Sequence, residues 1–97
     1  NLTKVLADRG VEDGVRVNAI NPGAIATDRL QTRIQRLAAD RGIDKVTAAE
    51  DLARSMKIAR FGTASEIGNA VAFLASPRAG YCQGAIIDID GGQTRTL

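Results

Sequence analysis

Histidine and tryptophan are absent from the 97 residues, and cysteine and tyrosine occur once each. Without histidine, this segment can build no Ser-His or Cys-His pair and no His-liganded metal site. The lone thiol, Cys82, has no second cysteine to bond and no ligand cluster around it, so no metal is expected. A single thiol fits a reducing compartment, and a cytoplasmic location is the expectation. No run approaches the ~18 consecutive apolar residues that span a bilayer, so no membrane partner is expected. Charge of one sign is scarce as well. A formal net charge of +2 gives nucleic acid no electrostatic footprint, and Asp40, Asp44, Glu50 and Asp51 interrupt the one basic stretch, residues 29–60.

What is present suits one small globular domain, with 44% hydrophobic and 25% charged residues and 10 glycines. The chain opens on Asn1 in "NLTKVLADRG", which reads as the middle of a helix. Leu2, Val5 and Leu6 keep helical spacing, and Gly10 is placed to end that helix. "GVRVNAI", residues 14–20, has β-branched residues at Val15, Val17 and Ile20 and predicts a short buried strand, stopped by Asn21, Pro22 and Gly23. Residues 28–58 are charged and amphipathic, with Leu30, Ile34 and Leu37 on one face and Arg29, Arg33 and Arg36 on another. Gly42 breaks this stretch, and a second helical piece is expected from about Thr47 to Lys57. Thr63 and Glu66 have the form of a capping box. Behind them Ile67, Ala70, Val71 and Leu74 follow i, i+3, i+4, i+7, with Pro77 past the helix end. "GAIIDIDGG", residues 84–92, predicts a second strand ending in a Gly-Gly turn.

Two strands joined by a helical crossover, residues 21–83, imply a parallel pair in an α/β sheet. Such a pair has two open edges, and parallel sheets are normally covered on both faces and flanked by further strands. The chain therefore reads as the end of a larger fold. Ligands of open α/β sheets bind outside the carboxyl ends of the strands, which is where residues 21–27 leave. There Pro22 turns the chain out of the sheet, and Gly23 admits close approach of a ligand. The backbone groups of Ala24 to Ala26 can offer a donor and an acceptor to a planar amide. Read alone, Pro22-Gly23 is equally a strand-ending turn.

Four pieces resemble the short-chain dehydrogenase/reductase family of NAD(P)-dependent oxidoreductases, in order and spacing: "LTKVLA", "GVRVNAINPGAIAT", "RFGTASEIGNAVAFLAS" and "GYCQGAIIDIDGG". They cover essentially all of the chain but only the later part of a family member, in the manner of the β-ketoacyl-acyl-carrier-protein reductases. The resemblance implies the C-terminal part of a doubly wound, Rossmann-like parallel sheet. Residues 1–97 would be a partial NAD(P)-binding domain, with a substrate lid at about 28–60. It implies NAD or NADP as cofactor and a small carbonyl or alcohol as substrate. It also implies a homo-oligomer formed through residues 65–90. Pro22, Gly23, Ala24, Ile25 and Thr27 would hold the nicotinamide carboxamide, Ile25 by its backbone and Thr27 by its hydroxyl, which bonds the carboxamide or the diphosphate. The family's Gly-rich loop, catalytic Ser and Tyr-x-x-x-Lys pair have no counterpart here. Tyr81 is the only tyrosine and is followed at the Lys position by Ala85, so no catalytic residue is assigned. A second reading makes the chain a truncated, non-catalytic interaction module pairing through residues 65–90.

The other candidates each carry two readings. Arg29, Arg33 and Arg36 could meet an acidic partner or form a solvated helix face. Leu30, Ile34, Leu37 and Met56 could line an apolar pocket or simply pack. Asp88 and Asp90, on one side of a strand, could hold a metal or form a carboxylate pair, or Asp90 could shape the "DGG" turn. Asn18 is expected to be a buried polar residue bonded to neighbouring backbone. Tyr81 is expected to pack or bond locally, and Cys82 is assigned no reactivity.

Overall fold

A computed structural model of the chain describes residues 1–94. Helix α1 (Leu2–Asp13) leads to strand β1 (Ala19–Pro22). Then come α2 (Asp28–Arg41), α3 (Lys45–Ser55), α4 (Ala64–Ala75), a 3₁₀ turn (Pro77–Ala79) and strand β2 (Ile86–Ile89). The strands pair in parallel, Ala19 opposite Ile86 through Pro22 opposite Ile89. This is the expected α/β arrangement with a helical crossover. The register brings the carboxyl ends of both strands, and the turns that follow them, to one side of the molecule.

Helix α1 follows directly on Asn1, whose side chain accepts the Lys4 N–H. Two boundaries differ from the sequence reading, each for a local reason. Gly10 does not end α1; the helix runs on to Asp13 and closes on Gly14 at φ 72°. Gly10 is instead buried, and a Cβ there would lie 2.2 Å from the Val15 carbonyl oxygen. Its smallness serves packing against the chain that returns after the helix. The first strand lies later than 14–20, because side chains take up the groups before Ala19. Gln83 accepts the Val17 N–H, while Asn18 donates to the Cys82 carbonyl and accepts from the Ala85 N–H. Asn18 thus has the backbone-bonding role expected of it. Pro22 fits as the last strand residue, where a missing N–H removes little from the ladder.

The buried core centres on the α2–α3 hairpin. Ile34, Ala38, Ala48 and Leu52 form it, and Leu30, Leu37 and Met56 pack against it. Gly42 at φ 65° lets the hairpin turn, and Asp44 caps α3 by accepting the Thr47 N–H. Helix α4 has the capping box read from the sequence, with Thr63 and Glu66 each accepting the other's backbone N–H. None of its residues is buried.

Candidate functional site

Strand β1 delivers Gly23 onto the turn that follows β2. The Gly23 N–H donates to the Ile89 carbonyl at 3.0 Å, and a Cβ at position 23 would stand 2.5 Å from Asp90 Cβ. No side chain fits there. Asp90 is held in turn as a cap of its own loop, accepting the N–H groups of Gly92 and Thr94. Bonding to Thr94, and then to the Gly92 N–H, holds the Asp90 carboxyl below its usual range. Asp88 accepts from the Asn21 side chain at 3.0 Å. The two aspartates therefore have separate partners and do not act as a pair. Among the described residues no cluster of metal-ligating side chains occurs.

Beyond Gly23 the chain is gripped by a residue that sequence reasoning missed. Gly62 donates its N–H to the Ala24 carbonyl at 3.0 Å and accepts the Ala26 N–H at 2.8 Å, a one-residue parallel bridge opposite Ile25. In such a bridge the flanking residues make both bonds, so the N–H and C=O of Ile25 face the opposite side. The Ile25 carbonyl accepts the Thr27 N–H, and no hydrogen bond among the described residues takes up the Ile25 N–H. This differs from the expectation that all of Ala24 to Ala26 stand open: Ala24 C=O and Ala26 N–H are spoken for. A Cβ at position 62 would lie 2.9 Å from Ile25 Cδ1, a side-chain end that would have to turn aside. The signal was present in "RFGTASE", but it names a bridge only once the fold brings residue 62 beside residue 25.

The loop carrying Gly62 is pinned by an ion pair. Arg60 Nη1 and Nη2 donate to Glu66 Oε1 and Oε2 at 2.8 and 3.0 Å, and Arg60 also donates to the Phe61 carbonyl. Glu66 accepts the Thr63 N–H as well. Arg60 first, with help from Thr63, pulls the Glu66 carboxyl down to about 2. The Arg60 guanidinium is correspondingly held above its ordinary value by Glu66.

Thr27 is the N-cap of α2, its Oγ1 accepting the Leu30 N–H at 3.3 Å. An accepting hydroxyl keeps its own proton free to donate outward. A cleft of about 260 Å³ opens between Ala24–Ile25, Arg60–Gly62 and the turn Ile89–Gly91. A second hollow, about 650 Å³, begins at Ala24 and Thr27 and extends along α2 to Met56. Pro22, Gly23, Ala24, Ile25 and Thr27 are thus contiguous at the carboxyl end of β1. Leu30 and Met56 both pack on the core and border the second hollow. Tyr81 does not pack as expected: it is fully exposed, because Cys82 and Gln83 take the inward side of that loop.

Comparison with known proteins adds a family. Residues 1–94 match the family model described as Enoyl-(Acyl carrier protein) reductase. The chain is 34% identical over 97 residues to the NADPH-dependent reductase BacG of Bacillus subtilis, covering all of this chain and 38% of that protein. It is 35% identical over 92 residues to the acetoacetyl-CoA reductase of Rhizobium meliloti, covering 95% of this chain and 34% of that protein. Among solved structures, L-sorbose reductase from Gluconobacter frateurii, complexed with NADPH and L-sorbose, superposes with a TM-score of 0.88. It is 36% identical, and the match covers 99% of this chain and 37% of that one. A short-chain oxidoreductase from Pseudomonas aeruginosa superposes with a TM-score of 0.89 at 33% identity, covering 100% and 37% of the two chains. The chain therefore spans a little over a third of the length of these relatives, within a doubly wound, Rossmann-like fold.

Proposed function

This chain belongs to the short-chain dehydrogenase/reductase family, and from that premise we propose that the protein carrying it is an NAD(P)-dependent oxidoreductase. It interconverts a small carbonyl compound and its alcohol. Relatives named for NADPH make NADPH the cofactor to test before NADH. The observation that carries the reading is the Gly62 bridge at the carboxyl end of β1, which leaves the Ile25 N–H without a partner among the described residues and the Ile25 carbonyl with a second lone pair beside the one that the Thr27 N–H takes. A primary amide needs such an adjacent donor and acceptor, and the absence of a side chain at Gly23 lets the turn at Asp90 close against the end of β1 beside them.

In this reading Ile25 holds the carboxamide by its backbone, and Thr27 donates its free hydroxyl proton to the carboxamide or the diphosphate. Pro22 and Gly23 set the direction of the turn, and Ala24 walls the crevice. The nicotinamide supplies the hydride when bound, and the residues of this chain fix which ring face is presented. Residues 28–60 cover the substrate as a lid. The groups that move the proton, a Tyr and a Lys by the family resemblance, would come from outside residues 1–97. Through α4 and β2, residues 65–90, two copies pair.

The test is NADPH and NADH oxidation by the native protein against a panel of ketones, repeated with Thr27→Val and Thr27→Ser. Losing one hydrogen bond from the clamp should raise the cofactor KM about 3- to 10-fold in the Val variant, with the Ser variant close to wild type. No oxidation and no cofactor binding would overturn the reading. The unburied α4 favours the second possibility, a non-catalytic interaction module. Self-association without cofactor binding would support that one.

A further inference from the structure

Three arginines on α2 have no role in the clamp, and their placement is unusual. Arg29, Arg33 and Arg36 follow one another at four and three residues, so they stack along one side of the helix. Like charges at those spacings repel each other, and a solvated face would ordinarily be relieved by interleaved carboxylates. Here Asp40 and Asp51 line a hollow that Arg33 and Arg36 also border, yet neither pairs with them. Arg41, on the same helix, pairs with Asp51, and Arg9, Arg54 and Arg60 each have a carboxylate. Arg16 lies on main-chain carbonyls. Among the described residues no ion pair or hydrogen bond engages the side chains of Arg29, Arg33 or Arg36. Asp28 and Asp40, the acids of their own helix, do not bridge to them.

All three border the hollow of about 650 Å³ that starts at Ala24 and Thr27 and is floored by Leu30 and Met56. The hollow thus has a clamp end, an apolar floor and a row of unpaired guanidinium groups. Guanidinium forks bind carboxylate and phosphate oxygens in pairs, and they do so best where apolar surface lowers the competition from water.

We propose that this hollow is an anion subsite: Arg29, Arg33 and Arg36 hold a carboxylate or phosphate carried by the substrate, placing its carbonyl toward Ala24 and Thr27. The substrate class is therefore a keto compound with an oxyanion set beyond a short apolar segment. The proposal rests on the oxidoreductase reading for the carbonyl and on the arginine row alone for the anion.

The experiment separates the two. With the native protein, kcat/KM is measured for a 3-keto acid, for its methyl ester and for a phosphate-bearing 3-ketoacyl thioester. Each is measured in wild type and in the triple variant Arg29→Gln, Arg33→Gln, Arg36→Gln. The expected result is a 10-fold or larger preference for one charged substrate over the ester, shrinking with added salt and collapsing in the triple variant. The substrate that shows it, keto acid or thioester, identifies the source of the anion. A ratio that is the same in wild type and variant overturns the proposal. Calorimetric titration with inorganic pyrophosphate, run on NADPH-saturated protein, gives a readout that needs no turnover. Binding present in wild type and lost in the triple variant supports the subsite even if no carbonyl is reduced, in which case the oxidoreductase reading fails alone. Equal heats in both proteins overturn the subsite. Circular dichroism of the variant confirms that α2 is intact.

Discussion

Gly23 illustrates how one atom can decide a site. Its φ is unremarkable, so the constraint is not backbone freedom but the 2.5 Å that a Cβ would leave to Asp90 Cβ. Gly23→Ala should therefore push β1's exit away from the turn after β2. Overpacking of this kind typically destabilises by ~1–3 kcal/mol, read as a lowered denaturation midpoint, and here cofactor affinity should fall with it. A variant as stable as wild type would show that the Asp90 turn yields. Glu66 makes a second test at this scale. Its folded value is drawn down to about 2 from an ordinary 4.5, so its contribution is fully present above about 4.5. That contribution is lost as pH falls toward 2, because the unfolded state takes up the proton first. Wild type should lose stability across that window, and Glu66→Gln should show a shallower fall. Parallel curves would mean that the Arg60–Glu66 pair is screened to insignificance at the surface. Of these two residues the sequence revealed Glu66 in its capping role and Gly23 as a turn former. It hid the partners, Arg60 and Asp90, because neither contact follows from local spacing.

Among the elements, α4 was the most legible. Its Thr63–Glu66 box, its helical apolar spacing and Pro77 past its end all describe what the structure contains. The helices of the 28–58 stretch were legible too, since Gly42 separates them as expected. The strands were less so, because Val15 and Val17 have strand chemistry but find Gln83 and Gly84 in place of a full ladder. Nothing in the sequence pointed to the device at the far end of α4. Arg16 reaches across to donate to the carbonyls of Leu74, Ala75, Ser76 and Ala79. It satisfies carbonyls that a helix end leaves open, in the place where a Gly cap would otherwise do so. Two substitutions at opposite ends of α4 should then have comparable effects. Thr63→Ala removes an N-cap worth about 1 kcal/mol, and Arg16→Ala should cost about as much, given its exposure. Hydrogen exchange separates them: the Thr63 variant frays residues 64–67 and the Arg16 variant frays residues 73–76. Uniform loosening in both would mean that α4 behaves as one cooperative unit.

At the scale of the whole molecule, the radius of gyration is 17.3 Å, against about 12.5 Å for a compact domain of this length. The chain's buried hydrophobic residues are mostly small: Ala7, Ala38, Ala48, Ala53 and Ala79 outnumber Ile34, Leu52 and Ile58. Alanines bury little area, and among the described residues the sizeable apolar cluster is in the hairpin of α2 and α3. Helix α4 is apolar over most of its length yet only Ile67, Ala70 and Leu74 are half-buried, and Val71 and Phe73 are 52% and 47% exposed, with Ile86 of β2 at 44%. Apolar side chains left in water are a cost that a contact removes. Pairing of two copies through these elements, proposed above, would cover part of this exposed apolar surface, and Val71 and Phe73, two residues apart, sample two faces of α4. The native protein should then run as a dimer or larger in light scattering, and Val71→Asp with Phe73→Asp should halve its mass or more. The double variant introduces charge only where the side chains are already solvent-exposed in one copy, so folding of the hairpin core is expected to persist. An unchanged mass would move the interface elsewhere. A monomeric wild type would instead mean that α4 packs against its own chain, through segments beyond residues 1–97.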